Sequence, residues 1–212
     1  MGRLPFRPRP RPDFLPRETT TVGHLVAEGN ISARGNVNAG RFVNATHVRA
    51  EGNISALNNV NAKNINVEED VILANADCAE EFDLEDSSTG EPLPGSVMVL
   101  GDEGSVRLST SAYDKRAAGV ISGAGTFKPG IILDRRNSDR RRPAITLMGK
   151  VFCKVDTTNG AIEVGDLLTT SGTPGHAMKA TDALRGFGAV IGKALRPLKE
   201  GQGLVPILVT LQ

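Results

Sequence analysis

The chain carries few residues in arrangements that do chemistry. Its three histidines are His24, His47 and His176. His176 lies in the turn-rich run SGTPGHAMKAT, where a turn histidine is a simpler reading than a general base. His24 and His47 each sit beside an aliphatic residue of a repeated hexad. Three copies around an axis could hold an anion or a metal there, but a solvent-facing corner is the simpler account. Cys78 and Cys153 lie far apart and outside metal-ligand spacing, so two buried free thiols are expected rather than a disulfide. Glu80, Glu81, Asp83, Glu85 and Asp86 cluster as a solvated strand edge would. Residues 135–142 (RRNSDRRR) hold five arginines in eight positions. They read as a solvated loop, with contact to an acidic partner or a sugar surface as the alternative. GxSxG, HExxH, P-loop and paired-cysteine motifs are absent. No catalytic, cofactor-binding or metal residue is assigned, no cofactor is expected, and the chain does not read as an enzyme.

The elements that would position any site begin with a repeat. Residues 23–63 read GHLVAE, GNISAR, GNVNAG, RFVNAT, HVRAE, GNISAL, NNVNAK. In each unit an aliphatic residue precedes an alanine by two: Leu25/Ala27, Ile31/Ala33, Val37/Ala39, Val43/Ala45, Val48/Ala50, Ile54/Ala56, Val60/Ala62. A spacing of two puts both side chains on one face of an extended segment. Gly and Asn between them suit tight corners. The pattern predicts short strands stacked as a β-helix or β-prism. Seven hexads close barely two turns in one chain, yet about seven layers if three chains each supply a face, on a requirement of roughly three repeats for stability. The expected core of that trimer is Ile31, Ala33, Val37, Ala39, Val43, Ala45, Val48, Ala50, Ile54, Ala56, Val60 and Ala62. A flexible Gly/Asn linker is the alternative, and the strict aliphatic-x-Ala phase argues against it.

Composition fits thin β layers. The 212 residues include 24 Gly, 12 Pro, seven Phe, one Tyr and no Trp. Lys and Arg number 25 against 24 Asp and Glu, a formal charge of +1, which does not suggest a nucleic-acid binder. No apolar run approaches the ~18 residues of a membrane span. The first 18 residues are Arg- and Pro-rich without an apolar h-region, so no signal peptide is read there. Alternating Arg and Pro favour an extended, polyproline-like segment. It is either a disordered tail or a docking arm with Phe6, Phe14 and Leu15 as anchors.

From residue 77 onward the sequence is ordinary. Residues 96–100 and 105–108 flank the turn GDEG as a hairpin. Residues 119–122 and 130–133 flank a Gly/Pro turn, 144–155 alternate as a long strand, and 165–170, 189–194 and 204–211 follow. Only 111–117 and 182–185 could hold a helical turn. The expected fold is all-β: a docking arm over 1–22, a trimeric β-helix or β-prism shaft over 23–75, and a compact β-barrel or sandwich domain over 76–212.

The order DCAEEF (77–82), GVIS (119–122), LMGKVFCKV (147–155) and GDLL (165–168) resembles the C-terminal domains of bacterial and phage fibre-like proteins. These include the self-cleaving chaperone domains of phage tail appendages, in which a motif like ADYAEYFE opens the domain. The likeness spans 76–212. Its opening lacks those tyrosines, and PGHAMKAT (174–181) matches a non-cleaving relative. In the self-cleaving members a serine and an aspartate just before the domain make the cut. Here Ser32, Ser55, Asp70 and Asp77 are the candidates, and no serine lies between Asn64 and Phe82, so self-cleavage is not expected.

The resemblance implies a homotrimeric spike or fibre of a phage tail or a phage-like contractile injection particle. It would be assembled in the cytoplasm and end in a virion or an extracellular particle. The arm would attach to a tail or baseplate protein, the shaft would give rigidity, and the C-terminal domain would cap and register the trimer. A tip that binds a receptor or glycan on a cell surface is the alternative, and an autoprocessing peptidase a further one.

Overall fold

The computed structural model describes residues 63–68, 70–74, 76–85 and 90–210. In chain order the elements are β1 (Asp77–Glu81), β2 (Val97–Leu100), β3 (Val106–Leu108), β4 (Ala117–Ile121), β5 (Pro129–Leu133), β6 (Ala144–Asp156), β7 (Leu167–Thr170), β8 (Ala177–Lys179), α1 (Ala183–Gly186), β9 (Val190–Ala194) and β10 (Gln202–Thr210). A 3-10 turn at Asp102–Gly104 joins β2 to β3.

Everything is built on β6. Its 13 residues alternate almost without a break, and each half serves a different core. The C-terminal half pairs antiparallel with β10 over nine positions, from Gln202↔Asp156 to Thr210↔Met148. β10 then pairs with β9, β9 with β7, β7 with β8, and β8 returns to β6 through Val155↔Ala177. Five strands therefore close on themselves, which leaves that ring no open edge. Odd-numbered residues of both long strands point into it: Val151, Cys153 and Val155 from β6, and Val205, Ile207 and Val209 from β10. All six are buried. Each such aliphatic side chain contributes about 1.5–3 kcal/mol when fully buried.

The N-terminal half of β6 serves a second core. There β6 pairs with β1 on positions 144–149 and with β4 at 145–146. β4 continues to β2 and β2 to β3. Met98, Val106, Leu108, Ala118, Ile121 and Ile145 pack together, with Phe82, Leu84 and Leu147 against them. The changeover falls at Gly149, at φ 106°, where a Cβ would lie 2.6 Å from the Ala76 carbonyl oxygen. Only glycine allows β1 to start that close to β6.

The barrel alternative of the two expected for 76–212 is thus the observed one. The β2–β3 hairpin, β6, β9 and β10 follow the sequence pattern. One expectation needs correction. Residues 111–116 form turns rather than a helix and Ala117 already opens β4, while β5 joins β1 in parallel. The shaft core positions from Ile31 to Ala62 and the arm anchors Phe6, Phe14 and Leu15 lie outside the described residues, as do His24 and His47.

Candidate functional site

The described residues just before β1 carry a run of exposed apolar side chains. Ile65, Val67, Val71, Ile72 and Leu73 are between 46% and 92% exposed. The stretch is extended in sequence pattern, yet among the described residues no backbone hydrogen bond involves 63–74. Aliphatic side chains on this scale do not stay in water by preference.

A second apolar surface is the outer face of a three-stranded ribbon. Cys78 pairs with Ile131 on β5 and with Met148 on β6, so the three sit in one row. Ile131, Leu133 and Met148 are exposed, and Cys78 is half-buried. The other face of β1 turns inward through Ala79, which is buried. β5 pairs with β1 alone among the described strands, so its far edge is open.

Two members of the acidic cluster, Glu81 and Asp83, are partnered by the arginine run. Arg142 donates to the Asp83 carboxylate at 2.5 Å, to the Glu81 carbonyl at 2.7 Å and to Asp134 Oδ2 at 2.5 Å. Its side chain is almost wholly enclosed. Arg135 stands 3.8 Å from Glu81, and Arg136 stands 3.9 Å from Asp83 and 3.7 Å from Asp134. Arg141 holds Glu91 at 2.7 Å. The hydrogen bond from Arg142 holds the Asp83 carboxyl below the usual carboxylate range, and that pair in turn raises the guanidinium. Glu85 accepts from the Ser105 hydroxyl at 2.6 Å and the Asp102 N–H at 2.7 Å, which lowers it too. Residues 134–141 are exposed, as a solvated loop is, whereas the acidic strand edge is half-buried and held by Arg142 rather than simply solvated. Arg135 and Arg136 remain largely exposed in that loop.

Two further polar centres fix turns. The Tyr113 oxygen accepts from the backbone N–H of Thr181 at 2.9 Å, of Asp182 at 3.1 Å, and from Asn159 Nδ2 at 3.2 Å. The Arg185 guanidinium covers its ring at 4.4 Å. Burial pushes the phenol up, but the donated hydrogen bonds outweigh it and lower its pKa overall. Asp156, buried in β6, accepts from the Ser171 hydroxyl at 2.5 Å and from the Thr158 N–H at 3.0 Å. Burial raises that carboxyl, and the hydrogen bonds again outweigh it, so it is lowered. A shallow depression of about 360 Å³ lies over both centres, lined by Tyr113, Asn159, Ser171, Thr173 and Arg185 among others.

Neither Ser171 nor Cys153 presents a nucleophile. Ser171 is fully buried and committed to Asp156, and the buried Cys153 thiol is pushed far up by desolvation. His176 bonds the Pro174 carbonyl through Nδ1 at 2.8 Å, as a turn histidine would. Cys78 and Cys153 are both free, though only Cys153 is fully buried. Asp77 is buried with the Thr146 hydroxyl on one oxygen, while its Oδ1 has no hydrogen-bond partner among the described residues. Among the described residues no group of three His, Cys, Asp or Glu side chains is placed to hold a metal, and no helix is long and apolar enough to cross a membrane. The unpartnered row on β5, β1 and β6 is absent from the sequence reading. Its exposure depends on which strands pair, and local alternation does not show that.

No family model matches the chain, and no curated protein matches it. Among solved structures it is similar to the crystal structure of the bacteriophage phi29 gene product 12 C-terminal fragment. The identity is 17% and the TM-score 0.41, over 63% of this chain and 100% of that one. The barrel described above rests on its own strand pairings and not on this likeness.

Proposed function

We propose that the chain is a structural protein, the subunit of a homotrimeric spike or fibre of a phage tail or phage-like contractile injection particle. One observation carries the reading: the apolar stretch from Ile65 to Leu73 is exposed in a single chain and continues the aliphatic alternation of the hexads before it. Three chains that share each layer give those side chains a common interior, and one chain alone does not. On this reading residues 23–75 form the shaft, 76–212 cap it and fix its register, and 1–22 attach it to a tail or baseplate protein. The chain performs no catalysis. Register is weakly specified in a short repeat, so a domain that holds three chains in one alignment supplies what the repeat lacks.

Light scattering of the purified full chain tests this. A mass of three times 22.4 kDa is expected, and a single-chain mass at micromolar concentration overturns the reading.

A further inference from the structure

We propose that Asn159 is a site of spontaneous deamidation that the folded chain keeps shut, so that its amide is lost only where the turn at 157–160 has opened. The modification goes beyond the structural role proposed above and concerns the barrel of a single chain.

The chemistry starts from one dipeptide. Asn159 is the one asparagine of the chain that precedes a glycine. In deamidation the backbone nitrogen of the following residue attacks the asparagine Cγ. A carbon–nitrogen bond forms, the proton of that nitrogen passes to the departing amide, and ammonia leaves. Water then opens the resulting cyclic imide to aspartate or isoaspartate, so one water is consumed for each ammonia released. Glycine hinders the attack least, because it carries no Cβ and its backbone turns most freely.

The fold holds both partners of that attack. The Gly160 N–H donates to the Thr157 carbonyl at 3.0 Å, which engages its proton and fixes the nitrogen in the turn. Asn159 Nδ2 donates to the Lys179 carbonyl at 2.8 Å, to Thr181 Oγ1 at 2.8 Å and to the Tyr113 oxygen at 3.2 Å. These acceptors come from two distant segments, so the half-buried amide leaves both when it swings toward its own backbone. The turn is anchored as well. The Thr157 N–H donates to the Gly201 carbonyl at 3.0 Å, and the Thr158 N–H to the buried Asp156 carboxylate at 3.0 Å. Attack therefore waits for a local opening, and its rate falls with the fraction of time the turn spends open.

Refolding does not undo the loss. An aspartate at 159 has no N–H for the Lys179 carbonyl. It also sets a negative charge beside the oxygen that receives the Thr181 and Asp182 N–H groups. Asn137 supplies the contrast, because it precedes Ser138 in the exposed, irregular loop between β5 and β6.

The full chain is held for weeks at neutral pH, native and in urea, and peptide mapping by mass spectrometry reads amide loss at both asparagines. In urea Asn159 is expected to be lost before Asn137. In the native chain the order is expected to reverse, with Asn159 slowed about tenfold or more against urea. Native loss of Asn159 at its urea rate, or Asn137 leading in urea, overturns the proposal. Tyr113→Phe removes one acceptor and frees the 181–182 backbone. It is expected to speed the native loss of Asn159 several-fold and leave Asn137 unchanged; an unchanged Asn159 rate overturns the gate. Asn159→Asp, the product itself, is expected to raise the ultraviolet titration midpoint of Tyr113, since a lost donor and an added negative charge both favour the phenol. An unmoved midpoint would show that the amide does not hold this network, and would overturn the proposal too.

Discussion

Tyr113 is the only tyrosine in a chain without tryptophan, so an ultraviolet titration reads its hydroxyl alone. Three N–H groups donate to that oxygen, and they favour the phenolate over the phenol. The folded midpoint is expected below the ordinary value of about 10, and urea should return it there. Because the folded value is the lower one, the domain gains stability as pH rises through it, and a loss over that range would contradict the geometry. Tyr113→Phe leaves those donors to water and is expected to cost about 1–2 kcal/mol in a urea melt. Arg142 makes the opposite test. Asp83 is held low by it, so the stability this pair supplies is full above the ordinary carboxylate range and fades as pH falls through the lowered value. Arg142→Met should therefore lower the urea midpoint at neutral pH and flatten its decline under acid. Neither role shows in the sequence, since the partners stand 59 and 68 positions away from their anchors.

The strands divide by how much of their identity is local. β6 and β10 carry period-two alternation strong enough to be read directly, β9 reads as a short apolar run, and the β2–β3 hairpin is announced by GDEG. β1 and β8 are not announced: DCAEE and AMK have little β character of their own, and pairing with β6 makes them strands. Barrel closure was illegible for the same reason, because it runs through the three residues of β8. At 111–117 a helix lost to side chains. Asp114 caps its own turn by accepting the Arg116 N–H at 3.0 Å, and Tyr113 sits at φ 58°. Two substitutions test the barrel seam. At Gly192 a Cβ would fall 2.1 Å from the Leu208 carbonyl oxygen, so Gly192→Ala should destabilise by about 3 kcal/mol. Ile207→Ala removes a fully buried side chain from the seam and should cost about 2–5 kcal/mol in a denaturant melt.

At the scale of the molecule the arm and the barrel should be separable. Deletion of residues 1–18 is expected to leave thermal stability unchanged and to remove the protein from its parent particle. Particles that retain the shortened chain would place the attachment elsewhere. The aliphatic alternation at Ile65, Val67, Val71 and Leu73 was readable in the sequence, while the repeat before it lies outside the described residues. The β5 edge was not, because an edge is defined by a missing neighbour.

The pairing of β6 with β10 also sets an order in time. Nine paired positions of the central strand wait for a partner that comes after β7, β8, α1 and β9 along the chain. During synthesis β6 leaves the ribosome well before β10, and the barrel cannot close until the segment around Val209 has followed. A nascent chain would thus expose the apolar face of β6 until translation is nearly complete, with the element that completes its fold arriving last. Polysomes bring several nascent copies within reach of one another, so premature strand pairing between them is the hazard this order creates.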